Sequence, residues 1–371
     1  MKHSYCCAIR VFGLLLLSAA ICAYAQAGDT GPAGAVRSAK TGRLVIPASY
    51  DAAGDFSDGM AAVRVGSKWG FIDKSGSMLI RPRFPEGDVP FSSRFSDGLA
   101  AVRIGGKWGF IDRHGAMVIS PMFSGDEYSP PRFSEGLCVI REGYKYGYID
   151  TTGKFAIAPK FDRARNFSEG AALVQEADGT QLFIDKKGEP IGTQRFSGAL
   201  PFREGMAAVK INGDYGYIDR SGNIAIPPQF DTASSFSDGL AAVSVGNKRG
   251  FIDKSGKFVL EPHFNGTVFN LLGDGFSDGL IAIELGGSKQ FAGPLGKFGF
   301  MDKSGSVVIK PGFNSASNFS EGLASVAVGG KIGYIDKAGQ FVVKPEFTDG
   351  FPYSEGLARV RVGRKYGFIA R

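Results

Sequence analysis

From residue 99 to residue 111 the chain reads Leu-Ala-Ala-Val-Arg-Ile, then Gly-Gly, then Lys-Trp-Gly-Phe-Ile. Two largely apolar runs flank a glycine pair of the kind that two-residue hairpin turns require, because both turn residues need positive φ. The turn fixes the register. With Gly105 and Gly106 as the loop, Ile104 faces Lys107, Arg103 faces Trp108, Val102 faces Gly109 and Ala101 faces Phe110. Both faces of this hairpin are then largely apolar, so both must be covered. Ala100, Ala101 and Gly109 are small where a neighbouring unit would press close. A longer turn follows at Asp112–Gly115, with the aspartate placed to cap turn amides. A third run leads to Pro121, which removes a ladder donor and is expected to stop pairing. No stretch of the chain shows a sustained helical period.

The same phrase recurs. An aromatic-Ser-acid-Gly anchor, with Arg203 in place of the serine in one copy, opens each unit, and its glycine falls at 59, 98, 136, 170, 205, 239, 279, 322 and 356. Eleven residues further on comes a second glycine: Gly70, Gly109, Gly147, Gly216, Gly250, Gly333 or Gly367. Two copies depart. The fourth has no such glycine in "ADGTQLFID", and the seventh carries a nine-residue insertion in "LGGSKQFAGPLGKFGFMD". The expected fold is all-β: nine tandem three-stranded meander units.

The register can be checked within the chain. The pairs it predicts are Arg64–Trp69, Arg103–Trp108, Arg141–Tyr146, Lys210–Tyr215, Ser244–Arg249, Ala327–Ile332 and Arg361–Tyr366. Every aromatic faces a cation, and where the aromatic is lost the cation is lost too. Cross-strand pairs of this kind contribute roughly 0.2–1 kcal/mol, with cation–π contact as one source.

The ends of the repeat complement each other. Residues 38–51 supply a second turn and a third strand, whereas 353–371 supply two strands and stop. Joined, they complete the ninth unit. A propeller-like closed or nearly closed ring is expected, the alternative being an open β superhelix or solenoid.

The unit Gly-Leu-Ala-x-Val-x-x-x-Gly-Lys-Trp/Tyr-Gly-Phe/Tyr-Ile-Asp resembles the WG-repeat, or KWG-repeat, proteins common in bacteria. The resemblance covers about 38–371. It implies a repeated β module with an interaction role, and it carries no catalytic residues to transfer.

Composition adds a compartment. Lys2 and Arg10 precede or flank the apolar run "VFGLLLLSAAICAYA", which ends in Ala23-Tyr24-Ala25. This is the order of a secretory signal peptide over 1–25, with cleavage near Ala25. Residues 26–37 read as a flexible Gly/Ala tether. Export to the periplasm or the medium is the expectation. The formal charge of +7 falls to about +5 once Lys2 and Arg10 leave. That modest excess does not call for nucleic acid. Cys138 alone remains after the leader is removed, so no internal disulfide forms, and it sits where other copies hold alanine. Cys22 follows Ile21 rather than a small residue, which argues against lipidation.

Chemistry is harder to find. His114 and His263 do not cluster with Cys138, and no G-x-S-x-G, H-E-x-x-H or P-loop pattern occurs. The serial aspartates Asp73, Asp112, Asp150, Asp185, Asp219, Asp253, Asp302 and Asp336 read as turn caps. The anchor acids and the cations of the second turn, such as Lys74, Arg113 and Lys186, fall at one end of each hairpin and are expected to pair on the rim. At the other end Lys68, Lys107, Lys145, Lys248, Lys331 and Lys365 form the candidate anion-facing ring, and Phe269, Leu271 and Leu272 form an apolar loop cluster. The longer connections at 84–95, 123–133, 264–276 and 286–296 are the other candidates, since loops carry specificity on repeat scaffolds. The function expected is an exported, non-catalytic, monomeric scaffold without cofactor or metal. Its partner would be a protein or an anionic cell-envelope polymer, and it would not be an integral membrane protein. The alternative is a carbohydrate-binding or carbohydrate-cleaving ring, which would need two converging carboxyls in a pocket.

Overall fold

The computed structural model describes residues 42–85, 93–125, 129–246, 248–264, 270–271, 275–285 and 296–371. The leader and tether lie outside them. The described residues form strands and turns in nine small antiparallel sheets, arranged as the blades of a propeller. We number blades by their anchor glycines, from Gly59 in blade 1 to Gly356 in blade 9.

Blade 1 shows the pattern. Strands Met60–Val65 and Lys68–Asp73 form the central hairpin, and Met78–Pro85 pairs on its outer side. The predicted register holds in every unbroken copy, including Arg103 opposite Trp108 and the exchanged pairs Ser244–Arg249 and Ala327–Ile332. The cation lies over the facing ring at 5.4 Å for Lys210 and Tyr215 and at 5.9 Å for Arg361 and Tyr366. Arg141 instead lies 5.9 Å from the Tyr144 ring.

Three expectations need correction. First, the blades are four-stranded where complete, with a two-residue innermost strand such as Ala52–Ala53 paired to Arg64 and Val63. Two residues are too few for an alternating pattern to register in sequence. Second, the proline does not end the outer strand. Pairing breaks at a bulge and resumes, so Trp108 pairs with Phe123 beyond Pro121. Third, Gly109 makes room within its own blade rather than for the next one. A Cβ there would lie 2.6 Å from the Ile119 carbonyl oxygen and 2.8 Å from the Pro121 nitrogen. The bulge presses the outer strand onto the glycine.

Blade 4 tests this account. Leu182 takes the glycine's place and is buried, and Gln194 takes the proline's. The outer strand is then missing. The backbone of residues 185–196 pairs with the blade only at the isolated bridges Ile184–Pro190 and Gln181–Phe196, and Arg195 adds an ion pair to Glu176 at 3.0 Å.

Blades stack through nine apolar interfaces, each built from two adjacent blades. At each seam the anchor aromatic meets the ring of the preceding blade's Gly-Phe/Tyr step. Phe71 and Phe95 lie 5.0 Å apart edge to face, and Phe110 and Phe133 lie 4.9 Å apart. Such pairs contribute about 0.5–1.5 kcal/mol beyond the area they bury. This contact requires the aromatic in Gly-Phe/Tyr-Ile-Asp, whereas the preceding Trp position meets its hairpin partner on one side and the outer-strand Phe on the other, as Trp108 does with Arg103 and Phe123. Where the ring is Tyr148, its hydroxyl also donates to the Arg165 carbonyl at 2.7 Å.

The ring closes. Strand Leu44–Tyr50 is the outer strand of blade 9 and pairs with Lys365–Ala370. Phe56 packs on Phe368 at 4.9 Å, and Ile46, Tyr50 and Phe368 share one core with Ala61, Val63 and Ile72 of blade 1. The open solenoid is therefore set aside. One polar contact distinguishes this seam. Arg359 stands where blade 1 holds Ala62, is almost wholly buried, and gives its Nε to Asp55 of blade 1 at 3.1 Å. Its guanidinium stacks 3.5 Å from the Phe351 ring centroid.

Candidate functional site

Strand alternation divides the ring into two faces. The anchor turns and the Asp-capped turns lie on one. The glycine turns and the connections between blades lie on the other.

The first face is a structural latch. Each anchor acid takes positive φ, between 51° and 59°, and its carboxylate accepts the anchor glycine amide of the following blade. The series runs from Asp58 with Gly98 at 3.0 Å to Glu355 with Gly59 at 2.9 Å, and so closes on itself. The anchor serine adds a second bond, as in Ser57 Oγ to the Phe95 carbonyl at 2.8 Å and Ser354 Oγ to the Phe56 carbonyl at 2.9 Å. The cations of the second turn do pair with anchor acids, but across blades and not within the unit. Lys74 meets Glu355 at 3.1 Å, Lys186 meets Glu135 at 3.3 Å, and Arg220 meets Glu169 at 2.9 Å. Partial burial opposes ionisation of Glu169. Amide donation from Gly205, the Arg220 guanidinium and the Glu204 amide outweigh it and hold the carboxyl below its ordinary range.

The serial aspartates cap their own turns. Asp73 Oδ1 accepts the Ser75 and Ser77 amides, each at 2.9 Å, and Asp112 does the same for His114 and Ala116. Hydrogen bonding from the Ser75 hydroxyl, ahead of the amides, lowers the Asp73 pKa. Cys138 is buried in the seam between blades 2 and 3, where desolvation pushes its thiol up.

On the second face the six lysines open the third strand of their blades. Their ring is less uniform than its spacing implied. Lys145 pairs with Asp162, Lys365 pairs with Asp51 at 2.6 Å, and Lys107 donates to Ser124 Oγ at 2.8 Å. Lys68, Lys248 and Lys331 make no ion pair among the described residues. Phe269 and Leu272 lie outside the described residues, and Leu271 belongs to the innermost strand Asn270–Leu271, paired to Ile283.

The site that repeat spacing missed is the central channel. A cavity of about 710 Å³ is lined at the inner edges of blades 3 to 8, including Arg132, Arg165, Asn166 and Arg203. A second of about 310 Å³ adjoins it through Arg132 and Asn166 and adds Arg94. All four arginines are exposed, in four successive blades. They stand within two residues of the anchor aromatic, at positions that vary from copy to copy. A repeat consensus hides such positions; aligning the copies on the anchor and reading what differs would reveal them.

These features define a nine-bladed β-propeller built from one sequence unit. A family profile described as the WG containing repeat matches nine times, at 40–69, 69–108, 108–146, 146–179, 183–213, 215–248, 250–288, 298–331 and 332–366. The chain belongs to that family. Most matches run from one blade's Trp position to the next, so the sequence unit is offset from the blade. Among solved structures, a eukaryotic initiation factor is similar at 11% identity over 92% of each chain, with a TM-score of 0.57. BamB from Moraxella catarrhalis is similar at 13% identity over 92% of this chain and 96% of its own, with a TM-score of 0.39. The C-terminal WD40 domain of Sif2 follows at 9% identity, 91% and 99% coverage, and a TM-score of 0.40. At these identities the first likeness is one of fold alone, and the other two carry no argument. No curated protein matches the chain. No helix among the described residues is long and apolar enough to cross a membrane.

Proposed function

We propose that this protein is an exported, non-catalytic scaffold that holds a protein or cell-envelope polymer on the face carrying the glycine turns and the inter-blade connections. One observation supports this most strongly. The four places where the repeat lengthens all fall between strand ends on that face: three join an outer strand to the next blade, and residues 286–296 interrupt a glycine turn. The opposite face is committed to latching blades together, so it has little freedom to vary. Among the described residues the large cavity is lined by arginine, serine, asparagine and apolar side chains and by no carboxylate, which favours binding over glycoside cleavage. The order of charged, apolar and small residues in 1–25 supports export.

The test is capture from the native envelope fraction by the purified ring and by a variant in which 286–296 is cut back to a two-residue glycine turn. A single partner held by the wild type and lost by the shortened ring, with its melting temperature unchanged, supports the reading. Equal capture by both, or none by either, contradicts it. For export, mass analysis of the mature protein should show a start after Ala25; a retained Met1 would contradict it.

A further inference from the structure

The channel arginines are surplus to the fold. Eight anchors use serine at the second position, and the hydroxyl bonds the next blade's aromatic carbonyl. Blade 5 alone places an arginine there, Arg203, and gives up that latch to present a cation to the cavity. Arg94 and Arg132 precede their anchor aromatics directly, where other copies hold Asp, Asn, Pro, Ser or Gly. Arg165 stands one residue earlier. Among the described residues, none of the four forms an ion pair and no carboxylate lines either cavity. Arginine presents a planar fork of donors suited to carboxylate and phosphate oxygens.

We propose that the central channel binds a small ligand bearing two or more anionic groups, carboxylate or phosphate, spread across the arc from Arg94 to Arg203. Two linked cavities and four successive blades separate the cations, so a single anion would engage only part of the arc. A volume of about 710 Å³ lies within the range of small-molecule sites. The lining aromatics Phe167, Phe236 and Phe276 are buried in the seams and offer no face for stacking, so recognition falls to the polar and charged side chains. Arg94 and Arg132 end two of the lengthened connections, so the site adjoins the scaffold face; its test leaves residues 286–296 untouched, and its failure would leave that reading intact.

The experiment is calorimetric titration of the intact ring with tripolyphosphate and, in a second arm, citrate. The variants are R203S, R132S/R203S, and K310S/K344S as a charge-matched control on the outer strands. R203S restores the residue of the other eight anchors, so it should fold and melt at least as high as the wild type. Saturable one-to-one binding is expected, weakened about tenfold by R203S, as loss of one charge-assisted contact implies. The double variant should lose it and the control should keep it. Binding of tripolyphosphate alone assigns a phosphate ligand; binding of citrate as well assigns the wider anionic class. Absence of saturable binding to either probe would overturn the proposal, as would undiminished binding by a folded R132S/R203S ring.

Discussion

Two glycines four residues apart carry different duties. Gly105 turns the hairpin at φ 59° with open space around it, so a left-handed backbone is all it supplies. Asparagine tolerates that conformation. Gly109 instead yields its side-chain volume to the bulge of the outer strand. Gly109→Ala should therefore cost about 1–3 kcal/mol through displaced backbone, while Gly105→Asn should stay within about 0.5 kcal/mol; denaturant midpoints separate the two. The glycine turn was legible in sequence because its constraint is local. The duty of Gly109 was not, because the atoms it avoids sit ten to twelve residues away on a strand whose bulge has no signature beyond one proline.

At the level of the blade, the hairpin, its register and the Asp caps could be read from the chain, since each is decided within about twenty residues. The innermost strand and the direction of the latch could not. The acid and the glycine it serves are separated by 36 residues for Glu169 and 296 for Glu355, and only the packed ring brings them together. The latch predicts an acid dependence. The Glu169 carboxyl lies below its unfolded value, so its stabilisation is complete above the ordinary glutamate pKa of about 4.3 and is lost as the pH falls through the lower, folded value. Glu169→Gln should lower the melting temperature at pH 7, and the gap should close in strong acid. A gap constant with pH would remove the charge from the explanation.

The whole molecule depends on one seam made by distant parts of the chain. Its backbone pairing was legible from the split unit, because the two termini carry complementary fragments. Its polar lock was not, since Arg359 looks like one more variable position until it is found buried against Asp55. Desolvation lowers the Arg359 pKa, and Asp55 opposes that shift. Asp55→Ala should leave a buried guanidinium without its carboxylate and cost about 3–5 kcal/mol. Adding Arg359→Ala should recover part of that loss, a coupling that a double-mutant cycle reads directly. The channel and the two faces exist only if the ring is closed, so the most direct measurement is amide hydrogen exchange in Leu44–Tyr50. Closure predicts that the amides paired with Lys365–Ala370 exchange as slowly as those of the outer strand Met78–Pro85 in blade 1. Exchange at the rate of an unprotected chain, with the other outer strands still protected, would contradict it.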